Sequence, residues 1–190
     1  MNNASLIFPT FARARNISLI IFSFYFYYKS TEYFAAILIV SAVINFLFGK
    51  WIASTESFPK KRVFLVLALI LNLALLGYFK YTNFLLQAIS DLRGTEFNPL
   101  AIFLPIGISF YTFKALTYIF DIYYDTLKPT KNFLDFILYL SFFPNVLMGP
   151  IDRAADFLPQ INKDPFISKD DLGRATFLIC SGLLKTVILS

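Results

Sequence analysis

Residues 100–124 read LAIFLPIGISFYTFKALTYIFDIYY. The stretch is long and apolar enough to cross a bilayer, yet Pro105 and Gly107 interrupt its first third and Lys114 stands near its middle. Proline removes a backbone donor and collides with the preceding turn, and glycine weakens a helix interior. Irregular backbone at membrane depth is tolerated only where protein covers it or where it lines a wet cavity. The stretch therefore predicts a broken segment packed inside a helical membrane bundle.

The rest of the chain agrees with that environment. Of 190 residues, 57% are hydrophobic and 15% charged, and the mean hydropathy is +0.64. A soluble domain runs at about 45–50% apolar and about 25% charged. Too few polar side chains remain to cover a water-soluble fold, which excludes a disordered chain, a nucleic-acid-binding arm and an ordinary cytosolic domain. At roughly 20 residues per span, the length allows about five or six membrane helices with short loops. Seventeen basic residues against twelve acidic ones give a net charge of +5. Basic residues collect on the cytoplasmic side of membrane proteins, so membrane lipid, not nucleic acid, is the partner this excess implies. The 24 Phe and 11 Tyr suit a lipid-embedded bundle with tyrosines at its interfaces.

A first apolar stretch, Ile17 to Tyr28, follows Arg13 and Arg15 and resembles the hydrophobic region of a signal peptide. No small-residue cleavage site follows it, so it reads as a short or tilted span. A second span runs from about Tyr33 to Trp51. A basic loop holding Lys50, Lys60, Lys61 and Arg62 around Pro59 precedes a third span, from about Val63 to Phe79. Residues 82–98 read as a helix extension plus a loop, with Gly94 and Pro99 as breakers. A fifth segment, Phe133 to Gly149, is broken by Pro144, and a polar stretch follows from Ile151 to Asp164. The last helix starts near Ser168, which forms a capping box with Asp171. With the N-terminus in the cytoplasm, a dip or break within residues 100–124 returns Arg153, Lys163, Lys169 and Arg174 to the cytoplasmic side, as the charge rule prefers.

Polar side chains inside these segments are the candidates for function. Asn45, Asn72 and Asn145 each lie within apolar sequence. Ser41, Asn45 and Gly49 recur every four residues and share one helix face, which turns toward other helices and not toward lipid. Interhelical hydrogen bonding and the lining of a substrate passage both satisfy that pattern. Lys114 costs about 2.5–3.5 kcal/mol at a bilayer centre unless it is paired or reaches an interface. A structural ion pair or snorkelling accounts for it, and so does contact with an anionic acyl carrier or substrate. Asp121 lies about two turns further on the same face, too far for a direct bond. Cys180 sits mid-helix among apolar neighbours, without the basic partner that activates a thiol. There is one cysteine and no histidine. No metal-ligand cluster, phosphate-binding glycine loop or Ser-His-Asp arrangement is present, and no cofactor is expected.

Four phrases stand together in order: Leu104-Pro-Ile-Gly-Ile-Ser-Phe-Tyr-Thr-Phe113, Tyr118-Ile-Phe-Asp121-Ile-Tyr123, Lys131-Asn-Phe-Leu-Asp135-Phe136, and Phe142-Phe-Pro-Asn-Val-Leu-Met-Gly149-Pro150-Ile151 followed by Arg153. Upstream lies Asn72-Leu-Ala-Leu-Leu-Gly77-Tyr-Phe-Lys80-Tyr-Thr-Asn83-Phe84. From about Asn16 onward this run resembles the membrane-bound O-acyltransferase family. It is most similar to the bacterial branch that includes the alginate O-acetyltransferase membrane subunit and the D-alanyl transfer protein of teichoic acids.

The resemblance implies an all-α, multi-pass membrane protein of the bacterial inner membrane, a partial ring of transmembrane helices with broken or re-entrant segments around a passage. It implies one membrane domain over residues 1–190, the N-terminal half of such a fold, with 168–190 as a C-terminal helix. An acyl group, acetyl before D-alanyl, would pass from a cytoplasmic donor of unknown identity to hydroxyls of an exported polysaccharide. Ser109 and Tyr111 would join Asn45, Asn72, Lys114, Asp121 and Asn145 as tunnel-lining or helix-packing residues. The family's key histidine lies in a later helix, so no catalytic residue is carried over and the chain is expected to be inactive alone. Its expected partners are a histidine-bearing second half and a periplasmic acetyl-transfer protein. A non-catalytic membrane interaction or transport module on the same scaffold is the alternative.

Overall fold

The computed structural model describes residues 4–31, 35–95, 99–100, 102–148, 152–161 and 169–189. They form eight helices: α1 (Ala4–Thr31), α2 (Ala35–Ser54), α3 (Phe58–Arg93), α4 (Ile108–Tyr123), α5 (Phe133–Ser141), α6 (Phe143–Met148), α7 (Ala154–Ile161) and α8 (Lys169–Leu189). The all-α expectation holds among the described residues. Of the five or six spans expected, two helices, α2 and α3, have the length and apolarity to cross a membrane unaided.

α2 packs against α3, α4 and α5 and organises the bundle. Its Leu38, Ser41, Ala42, Asn45, Gly49 and Ile52 are buried, while Ile39, Val40, Val43, Leu47 and Trp51 face outward. The stripe of Ser41, Asn45 and Gly49 does turn toward other helices. Gly49 lets α4 approach: a Cβ there would stand 2.6 Å from Tyr118 Cε1 and 3.0 Å from Ile122 Cδ1. Phe46 meets Phe133 and Phe136 of α5 with ring centroids 5.4 and 6.0 Å apart. Tyr118 of α4 closes on Phe136 at 4.5 Å.

The basic loop is shorter than expected. Residues 55–57 alone connect α2 to α3, and Lys60, Lys61 and Arg62 belong to the opening turns of α3. Pro59 does not delay the helix, because its missing N–H falls where no intrahelical acceptor exists. α3 continues through Arg93, about 54 Å at 1.5 Å per residue, and so outreaches a hydrocarbon core of about 30 Å. It stops at Gly94, whose φ of +65° closes the helix with bonds back to Asp91 and Ser90.

Pro105 and Gly107 break the chain as expected. Residues 102–105 are non-helical, Gly107 adopts φ +76°, and α4 starts at Ile108. From there α4 runs unbroken for 16 residues. The break thus lies at the N-terminal edge of the segment, and the rest of it is one continuous helix to Tyr123. α5 has nine residues, about 14 Å, too few to cross. The chain bends at Phe142, with Pro144 in the first turn of α6. The polar stretch after Ile151 is not all loop, since α7 forms there around Pro159. The Phe143 N–H reaches Ser23 Oγ of α1 at 3.4 Å. Arg15, eight residues earlier on α1, holds the Ile161 carbonyl at the end of α7. Residues 133–148 and 152–161 therefore start in the bundle beside Phe46 and meet α1 at Ser23 and again at Arg15.

Two positions of the irregular stretch before α4 are held by side chains from other helices. The Tyr27 hydroxyl of α1 donates to the Ile106 carbonyl at 2.9 Å. Asn83 of α3 brackets Leu100, donating to its carbonyl at 2.9 Å and accepting from its N–H at 3.0 Å. Lipid offers no hydrogen bonds, so these long-range partners are what permit the breaks. α8 stands apart, with Leu172, Phe177, Ile179 and Leu183 exposed. Cys180 is exposed on it, not buried as its apolar neighbours suggested. Ser168, the expected cap, lies outside the described residues.

Candidate functional site

Where α5 breaks, its last carbonyls lose their partners in the next turn. Lys114 of α4, fully buried, fills one vacancy: its Nζ donates to the Tyr139 carbonyl at 3.2 Å. The ammonium thus sits at the negative end of the α5 dipole. Its face is completed by two rings, Tyr139 at 5.1 Å and Phe157 of α7 at 5.6 Å from their centroids. Among the described residues, no carboxylate lies within ion-pair distance of Lys114. The ion pair seen among the described residues joins Lys61 to Asp125, at 2.9 Å.

Tyr139 ties the site together. Its hydroxyl lies 3.1 Å from Thr117 Oγ1, 3.2 Å from the Lys114 carbonyl and 2.9 Å from the Asp152 carbonyl. The amide of Asn145 donates to the Asp152 carboxylate. Lys114 and Asn145, on separate segments, are therefore joined through Tyr139 and Asp152. Beyond them opens a polar cavity of about 380 Å³ lined by Asp152, Arg153, Asp156, Phe157 and Gln160. One Lys114 N–H is committed to Tyr139, and an ammonium carries three. Lys114 itself is fully buried and stands behind the cavity lining, against Phe157. No group of three or more His, Cys, Asp or Glu able to bind a metal occurs among the described residues.

The other candidates lie elsewhere. Asn45 and Asn72 face each other across α2 and α3 in a reciprocal pair, 3.1 Å one way and 2.8 Å the other. Each amide also donates to the carbonyl four residues back, Ser41 and Ala68 respectively. Their donors are spent on helix packing. A cavity of about 510 Å³ between α2 and α3 has this pair at its wall, amid apolar residues such as Ile37, Leu71 and Phe79. Ser109 is half-buried near the start of α4. Among the described residues, Tyr111 and Asp121 each present a buried oxygen without a hydrogen-bond partner, and Tyr118 packs on Phe136. They do not join the Lys114 cluster.

Sequence reading missed Tyr139, Asp152, Thr117 and Phe157. Tyr139 is one aromatic among many, and its role comes from the bend that follows it. Asp152 carried a usable signal, an acidic residue two places after the Gly149-Pro150 pair.

No family model matches the chain, and no solved structure matches it. Curated proteins do. The chain is 35% identical over 185 residues to a probable alginate O-acetylase AlgI of Pseudomonas syringae, covering 94% of this chain and 35% of that protein. It is 29% identical over 198 residues to a peptidoglycan O-acetyltransferase of Helicobacter pylori, covering 90% of this chain and 38% of that protein. The corresponding match in Azotobacter vinelandii is 36% over 159 residues, with 80% and 31% covered. The chain spans about a third of the length of these relatives, less than the half expected.

Proposed function

We infer, for a chain that belongs with these O-acetylases to the membrane-bound O-acyltransferase family, that it forms a scaffold and one wall of the passage through which an acetyl group reaches an exported polysaccharide. The observation that carries this reading is the buried Lys114, held by the broken end of α5 beside a polar cavity. Burying a lysine is costly, and capping the Tyr139 carbonyl uses one of its three N–H groups. A passage for a polar acyl carbonyl gives the others a use. Lys114 would donate to that oxygen, with the Asn145–Asp152 hydrogen bond fixing Asp152 at the cavity wall.

Proton transfer from the acceptor hydroxyl needs a base suited to neutral pH. The chain has no histidine, so in this reading the base comes from polypeptide corresponding to other parts of the relatives, and the chain alone is inactive. The acceptor is a polysaccharide of the kind the relatives are named for, alginate or peptidoglycan. The location is the bacterial inner membrane, with α1 to α4 crossing in alternation and residues 133–161 re-entering from the cytoplasmic side.

The test is expression in a bacterium lacking its own polysaccharide O-acetylation, with release of ester-bound acetate as the readout. The chain alone should yield none, and co-expression with the unmatched part of the Helicobacter pylori relative should restore it. Acetylation by the chain alone would overturn the reading.

A further inference from the structure

We propose that the opening turns of α3 form a binding site for one anionic phospholipid, its headgroup held by Lys60 and Arg62 and an acyl chain laid along Val63, Val66 and Leu67. The site is a groove of about 430 Å³ lined by Phe58, Pro59, Arg62, Val63, Val66 and Leu67. These positions recur at three- and four-residue spacing, so one face of α3 carries Arg62 above an apolar track, with the exposed Lys60 at its flank. Phe58 is fixed at the top of the groove by Tyr123, with ring centroids 6.2 Å apart.

Charge selects the occupant. Lys61 bonds to Asp125 and so draws the loop after α4 to the start of α3. That end of the bundle gathers Lys50, Lys60, Lys61, Arg62, Lys128 and Lys131 against Glu56, Asp121 and Asp125 as exposed or half-exposed charges. Asp125 is spent on Lys61, and Lys50 lies over the Phe46 ring at 4.3 Å. Among the described residues, Lys60 and Arg62 meet no carboxylate. A second copy of this chain would bring the same cations to the same face and be repelled. A phosphodiester with a net negative charge satisfies the two free cations, and its chain lies along the apolar side chains of the same groove. Arg62 supplies the planar donor fork that suits phosphate oxygens.

The experiment uses the full chain in a non-ionic detergent, with bound lipid read by native mass spectrometry and thermal midpoint. Phosphatidylglycerol should stay bound and raise the midpoint, while phosphatidylcholine and sodium phosphate should do neither. At about 1 kcal/mol per basic residue near a lipid surface, the Lys60→Gln/Arg62→Gln pair should weaken phosphatidylglycerol retention by about thirtyfold. Val66→Trp should fill the groove and lower retention with the cations intact. These side chains are exposed, so the variants should keep the fold. Equal retention of both lipids, a full effect from inorganic phosphate, unchanged retention in the variants, or a lipid-free dimer through this face would each overturn the proposal.

Discussion

Gly49 of α2 lies directly beneath the ring of Tyr118 on α4, so close that no side chain fits between them. The contact sets the distance between two helices of the core. Gly49→Ala should force Tyr118 aside and cost about 1–3 kcal/mol by overpacking. Gly77→Ala is the control, since nothing stands within 4 Å of its would-be Cβ. It should be neutral or stabilise by about 0.5–1 kcal/mol through helix propensity. Thermal unfolding in detergent compares the two, and equal midpoints would refute the close approach.

Lys114 caps a broken helix, which makes its charge and its reach separable. Lys114→Met keeps much of the volume and leaves the Tyr139 carbonyl without its donor. A loss of about 1–3 kcal/mol is expected for that orphaned buried group. If Lys114 also serves acyl transfer, Lys114→Met in a complete, active acetylase assembly should lower turnover at temperatures where the fold is intact. Full turnover in a folded variant would reduce Lys114 to a structural cap.

Asn45 and Asn72 form one unit, so their substitutions should not add. Either single change to Leu strands the other amide, whereas the double change removes both demands. A double-mutant cycle should show coupling of about 0.6–1.7 kcal/mol, the range found for hydrogen bonds between membrane helices. Additive losses would mean that the two side chains act independently.

The path of residues 133–161 predicts a labelling pattern. In a Cys180→Ser background, single cysteines at Glu56, Thr126 and Gln160 should react with a membrane-impermeant maleimide from one side. A cysteine at Arg93 should react from the other. Reaction of the Gln160 position from the Arg93 side would mean that α5 to α7 cross the membrane and do not return.

Much of this architecture was readable beforehand because it rests on local rules. Apolar length marked α2 and α3, Gly94 marked a helix end, and Pro105 with Gly107 marked the break before α4. The Ser41, Asn45 and Gly49 spacing named the packed face of α2, since side-chain direction on a helix follows from sequence position alone. The failures came where one short segment had to be placed against another. Both broken stretches violate helix continuity, and the charge rule acts on the loops of the whole chain. It favoured a dip or break within residues 100–124, most of which form the continuous helix α4.

Composition and periodicity by themselves made this a helical, membrane-embedded chain with interrupted segments and a buried lysine. That much follows from hydrophobicity and backbone hydrogen bonding, which depend on residue type and near neighbours. Only the tertiary structure decided that Lys114 closes on Tyr139, that Asp152 returns beside it, and that Asn45 meets Asn72. Those pairs span 25, 13 and 27 residues of chain. A carbonyl freed by a break can be satisfied by any donor that packing brings near, and packing is a property of the assembled bundle.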